Sequence, residues 1–193
     1  MRLNLTPKYL LFTSVILLAA LGLTLGITAK RHEQLVMAQV EMQAKVLFRQ
    51  VIITRRWVAE HGGLFVEKAP WAQPNPYLKD SVIMDKSGKK YMKENPAMVM
   101  KELSLYAQNE GLYFFHITSL KLMNPENAPD EFESQALRDF ETKKITEVSG
   151  VQKMGDSYFY RYMAPVYIEK ACLQCHEYQG YAIGDIRGGI SVS

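Results

Sequence analysis

The stretch ITEVSGVQKMGDSYFYRYMAPVYI, residues 145–168, decides how this chain folds. Two runs rich in β-branched and aromatic residues, Ile145 to Lys153 and Tyr158 to Ile168, flank Gly155-Asp156. That pair has the composition of a tight turn between antiparallel strands, so the stretch predicts a long hairpin. Downstream, Ile186 to Val192 is a further strand. Upstream, Asp130 is placed to cap a short helix that carries Phe132, Ala136 and Phe140 on one side, behind a loop from Asn124 to Pro129 with two prolines.

Farther upstream the same reading continues. Leu112 to Leu120 is aromatic and β-branched and predicts a strand. Asn95-Pro96 opens a helix, with Asn as the cap and Pro at the first helical position. Val99, Leu103, Tyr106 and Ala107 form its apolar face, and Gly111 ends it. Ser81 to Met84 and Lys89 to Met92 form a hairpin across Lys86-Ser87-Gly88. Lys68 to Pro76 holds three prolines and reads as a loop. From Glu33 to Ala59 there is no Gly or Pro, and Val36, Val40, Ala44, Leu47, Val51 and Val58 recur at helical spacing. This is one long amphipathic helix that stops at Gly62-Gly63. The order predicts an α+β fold: an antiparallel sheet with flanking helices, a layout that suits a PAS-like sensor domain.

Ahead of the long helix, Tyr9 to Ala29 is 21 residues without a charge, enough at 1.5 Å per residue to cross a bilayer core of roughly 30 Å. It exceeds the apolar core of a secretory signal, and Ile27 sits where cleavage after Ala29 wants a small residue. The expectation is an uncleaved anchor over 9–29, a cytoplasmic 1–8, and one domain from 33 to 193. Arg2 and Lys8 on one side and Lys30 and Arg31 on the other leave orientation open. A net charge of +3 with scattered Lys and Arg gives no reason to expect nucleic acid. Two cysteines exclude a disulfide scaffold and an all-thiolate zinc site.

Those two cysteines stand in Cys172-Leu173-Gln174-Cys175-His176, the C-x-x-C-H spacing of c-type haem attachment. The thiols add to two vinyl groups on one porphyrin edge, and the adjacent His reaches the iron. A redox C-x-x-C pair would want a helix start after a strand in a βαβ unit, whereas this motif reads as a C-terminal loop. A zinc site would need two more ligands from His32, His61 and His116. Chance spacing is the remaining alternative. Since c-type attachment in bacteria occurs outside the cytoplasmic membrane, haem c would put the domain in the periplasm.

With His176 as one iron ligand, the other is expected at His61, where a helix end beside Gly62-Gly63 would let the backbone approach a porphyrin. A solvated His at a helix C-terminus is the plain alternative. His116, in a strand among aromatics, is expected to line the pocket or bond a propionate, and is a second candidate ligand. Ten methionines and an open site complete the alternatives. Arg187 is a candidate propionate partner, against a plain surface pair with Asp185. The tyrosines at 158, 160, 162, 178 and 181 and Phe159 are read as core packing before pocket wall.

Several stretches resemble the Tll0287-like family, whose members are PAS-like periplasmic modules with c-type haem. They are Arg56 to Gly63, Pro74 to Tyr77, Asn95 to Met98, His116 to Leu120, Asn124 to Asp130, Cys172 to His176 with Gln179-Gly180-Tyr181, and Gly184 to Ser191. The resemblance covers roughly Gln34 to Ser193. It implies a sensory input role, often ahead of a second membrane span and a histidine kinase or diguanylate cyclase. Some members carry a helix cysteine on the far side of the haem. By position it corresponds to His61, and no cysteine stands near residue 61 here. No second span or output domain falls within the 193 residues, so a stand-alone anchored protein and a piece of a larger sensor are both open readings.

The expectation is therefore a single-pass inner-membrane haem protein of sensor type. One haem c is held by Cys172 and Cys175, with a signalling kinase, cyclase or redox partner and a homodimer as further expectations. A redox or ligand change at the iron would be relayed through the long helix. The alternative is a monohaem electron-transfer cytochrome. An enzyme such as a peroxidase is not expected, because no distal acid–base pair is evident beyond a single His.

Overall fold

The computed structural model describes residues 5–69, 73–78 and 81–193. Arg2, and the part of the proline loop at 70–72, lie outside the described residues. The chain divides into two compact units, Met1–Met42 and Gln43–Ser193. Helix α1 runs Leu5–Glu60. In the first unit its side chains are almost all exposed, and by length and composition α1 is the one helix among the described residues that is long and apolar enough to cross a membrane.

Within the second unit, α1 buries Ala44, Val51 and Val58, three of the positions that the helical spacing singled out. It ends where Gly62 and Gly63 take positive φ. At Gly63 a Cβ would press on the Glu94 carbonyl, so this close pass needs glycine. The chain then forms β1, Leu64–Glu67, a strand that sequence patterning left unassigned. The hairpin of β2, Val82–Met84, and β3, Lys90–Glu94, pairs with it in the order β1-β3-β2. The fold thus holds two antiparallel sheets where the sequence suggested one. Four consecutive residues with three of them exposed give β1 no alternation to read.

Helix α2, Pro96–Asn109, starts as expected: Asn95 Oδ1 accepts from the Met98 N–H at 2.9 Å. Strand β4, Phe115–Thr118, is shorter than the 112–120 run. Helix α3, Glu131–Lys143, opens with a reciprocal cap in which Asp130 accepts from the Glu133 N–H and Glu133 from the Asp130 N–H. The hairpin is β5, Val148–Met154, and β6, Ser157–Tyr167, and β7 is Ile186–Val192. The second sheet has the order β4-β7-β6-β5, all antiparallel.

Both faces of this sheet are covered. Val51 of α1 and Met100 of α2 pack with Phe115, Val166, Ile190 and Val192 on one face. Ala136, Leu137 and Phe140 of α3 pack with Met163 on the other. Residues 161–166 of β6 are consequently buried without a break, as expected for a strand roofed on both sides. Pro165 lies past the last β5 partner pair, Val148 with Met163, where no strand on that side needs an N–H.

Candidate functional site

Between β6 and β7 the chain makes a closed excursion. Ile168 pins its base, donating to the Asp185 carbonyl at 2.8 Å and accepting from the Gly184 N–H at 2.9 Å. Inside it, Cys172 to His176 is not the open loop the sequence suggested. A 3-10 turn at Lys170–Cys172, one helical turn at Leu173–His176 (α4) and a 3-10 turn at Glu177–Gln179 follow one another. No Gly or Pro interrupts residues 169–179, so local hydrogen bonding wins there. Helical winding sets Cys172 and Cys175 three residues apart on one side of the turn. Both are free thiols, Cys172 half-buried and Cys175 exposed. Glu169 donates its N–H to Cys172 Sγ at 3.4 Å, and its carboxylate is gripped by Arg56 of α1, whose Nε lies 3.0 Å from Oε2.

His176 is half-buried. Its Nδ1 lies 2.8 Å from Gln179 Oε1 and 3.2 Å from Arg187 Nε. Gln179 accepts from the Nδ1–H tautomer; Arg187 donates to the other one. The first leaves a lone pair on Nε2, which has no hydrogen-bond partner among the described residues. Burial lowers the pKa of this imidazole, Gln179 opposes that, and the Arg187 and Arg55 charges lower it further. A neutral ring is the form a metal ligand needs.

His176 and Cys175 open onto a cavity of about 510 Å³, well within the range of small-molecule and cofactor sites. It runs along edge strand β4 beneath α2 and the 119–130 connection, with Met98, Leu105, Ile117 and Leu122 among its apolar walls. Two guanidiniums reach it. Arg187 donates to Ser119 Oγ at 2.7 Å and the Lys121 carbonyl at 3.2 Å, and no ion pair with Asp185 forms among the described residues. Arg55 comes from α1, and its Nε is buried with no hydrogen-bond partner among the described residues. Cys172, Arg187 and Glu169 are its charged or titratable neighbours, and burial pulls its pKa down.

A buried polar group closes the cavity toward α3. His116 Nδ1 donates to Glu133 Oε2 at 2.9 Å. Glu133 is 1% exposed and also bonds the Ser191 hydroxyl and Arg161 Nη2, the latter at 3.0 Å. Arg161, 3% exposed, reaches Asp130 Oδ2 at 2.6 Å. Burial alone would raise the Glu133 pKa; the hydrogen bonds of His116 and Ser191 outweigh it and hold the carboxylate below its ordinary range.

The structure therefore gathers Cys175, His176, His116 and Arg187 around one cavity, with Cys172 on the turn beside it. His61 is elsewhere. It is exposed at the end of α1, its Nδ1 lies 2.7 Å from the Trp57 carbonyl, and its ring packs on Trp57 at 4.4 Å. Among the tyrosines, Tyr162 is buried against Phe48 and Tyr178 is exposed. Arg55, Glu133 and Arg161 were not singled out from sequence, and Gln179 only as part of a stretch that carries the family resemblance. Only Glu133 carried a local signal, three residues after a capping Asp.

A search of curated proteins finds no match to this sequence. Among solved structures, the crystal structure of the cyanobacterial haem protein Tll0287 aligns with a TM-score of 0.49 at 20% identity, covering 79% of this chain and 94% of that one. The model of the Tll0287-like family matches residues 32–193, which takes in both sheets, the cavity and the Cys172–His176 turn. The chain belongs to the Tll0287-like family.

Proposed function

We propose that this protein binds one haem c in the cavity beside β4, through thioether bonds to Cys172 and Cys175 and an iron bond to His176. The observation that carries this is the environment of His176. It is an imidazole steadied at Nδ1 by Gln179, with burial favouring its neutral form and Nε2 unpartnered among the described residues, directly following two free thiols on one helical turn at the mouth of a 510 Å³ cavity. The orphaned Arg55 Nε supports the fit, since a buried donor without a partner is costly until an acceptor arrives. A haem, when bound, supplies an iron that changes oxidation state and binds small ligands. Tll0287, whose name the family model carries, is described as a haem protein.

The role is that of a membrane-anchored, periplasmic sensor. Arg55 and Arg56 of α1 meet the attachment turn at the cavity and at Glu169, so a change at the iron that moves this turn acts on α1. The exposure of Cys175 favours a second reading, electron transfer, because it brings one side of the attachment turn to solvent. The test is the full chain produced with the haem-attachment machinery. A pyridine adduct spectrum of covalent haem is expected, and its absence overturns the reading. Ligand-dependent change in α1, measured by spin labels on its exposed face, supports sensing. Fast electron exchange with a small cytochrome and an unmoved α1 support transfer.

A further inference from the structure

We propose that His116 would be the second protein ligand of the iron, oriented for that role by Glu133 and Arg161; this rests on the haem reading above. Four histidines occur in the sequence, at 32, 61, 116 and 176. His32 lies in the exposed first unit and His61 stacks on Trp57 away from the cavity. His116 and His176 are the two that line it.

His116 has the features of a ligand prepared from behind. Metal-bound imidazoles commonly donate their other N–H to a carboxylate, which fixes the tautomer and raises ligand basicity. Here the Nδ1–H is committed to Glu133 at 2.9 Å, so Nε2 is the nitrogen left for whatever occupies the cavity. Glu133 cannot rotate away, because Arg161, Ser191 and the Asp130 N–H hold its two oxygens. The charges agree as well. Asp130 and Glu133 against Arg161 leave one net negative charge next to the ring, which matches the single positive charge of a ferric porphyrin core. A propionate partner would instead call for a cationic surplus at this place. Of these three, Glu133 and Arg161 are positioning residues and His116 alone would bind the iron.

The experiment compares absorption and electron paramagnetic resonance spectra of the full chain, loaded with haem, as wild type, His116→Ala, His116→Met and His61→Ala. Wild type and His61→Ala are expected to give the low-spin signature of two nitrogen ligands. His116→Ala is expected to lose it, to bind carbon monoxide when reduced, and to regain the low-spin signal with added imidazole. His116→Met keeps six ligands but shifts the near-infrared charge-transfer band to the histidine–methionine position, which decides the matter should the alanine variant fail to accumulate. A low-spin, two-nitrogen spectrum that survives in His116→Ala or in His116→Met, or that is lost in His61→Ala, overturns the proposal. A negative pyridine test on the wild type instead overturns the haem reading itself, and this assignment falls with it.

Discussion

Glu94 is 1% exposed at the end of β3, and neither carboxylate oxygen has a hydrogen-bond partner among the described residues. Burial, reinforced by the charge of Glu102, pushes its pKa up from 4.5 to about 7. The folded state therefore holds a proton that the unfolded chain releases near 4.5. Its stabilising contribution is complete below that pH and is lost as pH rises through about 7. The ceiling on the loss is about 3 kcal/mol. Replacing Glu94 by Gln should flatten this segment of the stability curve. Urea midpoints at pH 5 and pH 8 check it, and an unchanged difference between the two in the variant would refute it. Glu133, equally buried, behaves oppositely because it has partners. Glu133→Gln leaves Arg161 and Asp130 in place but removes the charge behind His116, so the expected outcome is a more positive reduction potential, read by redox titration of the loaded protein.

At the scale of elements, the β4–β7 pair carries the site, and Gly188 sets how closely the two strands approach. A Cβ there would overlap the Thr118 carbonyl oxygen, which is backbone and has no rotamer to yield. Gly188→Ala should cost about 1–3 kcal/mol in chemical denaturation. Gly150→Ala on β5 meets nothing within 4 Å and should lie within about 0.5 kcal/mol of wild type, which makes it the matched control. What was readable in these elements follows from locality. The Gly155-Asp156 hairpin, the Asn95 cap and the Asp130 cap are decided by residues a few positions apart, and each appears where the sequence put it. Strand β1 is too short and too exposed to show a period. The C-x-x-C-H spacing was plain, but its helical winding was not, because isolated four-residue turns depend on their anchors at Ile168 and Glu169. Glu133 and Arg161 are 28 positions apart, and a charged residue at helical or strand spacing reads as solvent-facing until tertiary contacts bury it. The same limit applies to seeing from sequence that His61 does not line the cavity and His116 does. Flanking glycines made the first attractive, whereas the cavity that includes the second is assembled from β4, α2, α3 and the attachment turn.

For the whole molecule, the two cysteines report topology and cofactor together, because Cys172 and Cys175 are the only thiols in the chain. If residues 9–29 anchor the protein with the haem domain outside, a membrane-impermeant maleimide added to intact spheroplasts will reach them. Cys175 is exposed and reacts first; Cys172 is half-buried beneath the Glu169 N–H and reacts more slowly. Once both sulfurs are thioethers, neither has a thiolate to offer. The expected pattern is therefore labelling from outside in cells that lack the attachment machinery, after mild reduction, and none in cells that have it. Labelling only after lysis would reverse the orientation. Equal labelling in both strains would mean that the thiols remain free, which removes covalent haem while leaving the anchor intact. Recovery of the chain in the carbonate-washed membrane fraction tests the anchor by itself, since a peripheral domain is released and a helix with 21 uncharged residues is not. Orientation, attachment and anchoring are thus separable in one set of cells: the side of labelling reads orientation, its dependence on the attachment machinery reads thioether formation at the same two sulfurs, and membrane retention reads the first half of α1.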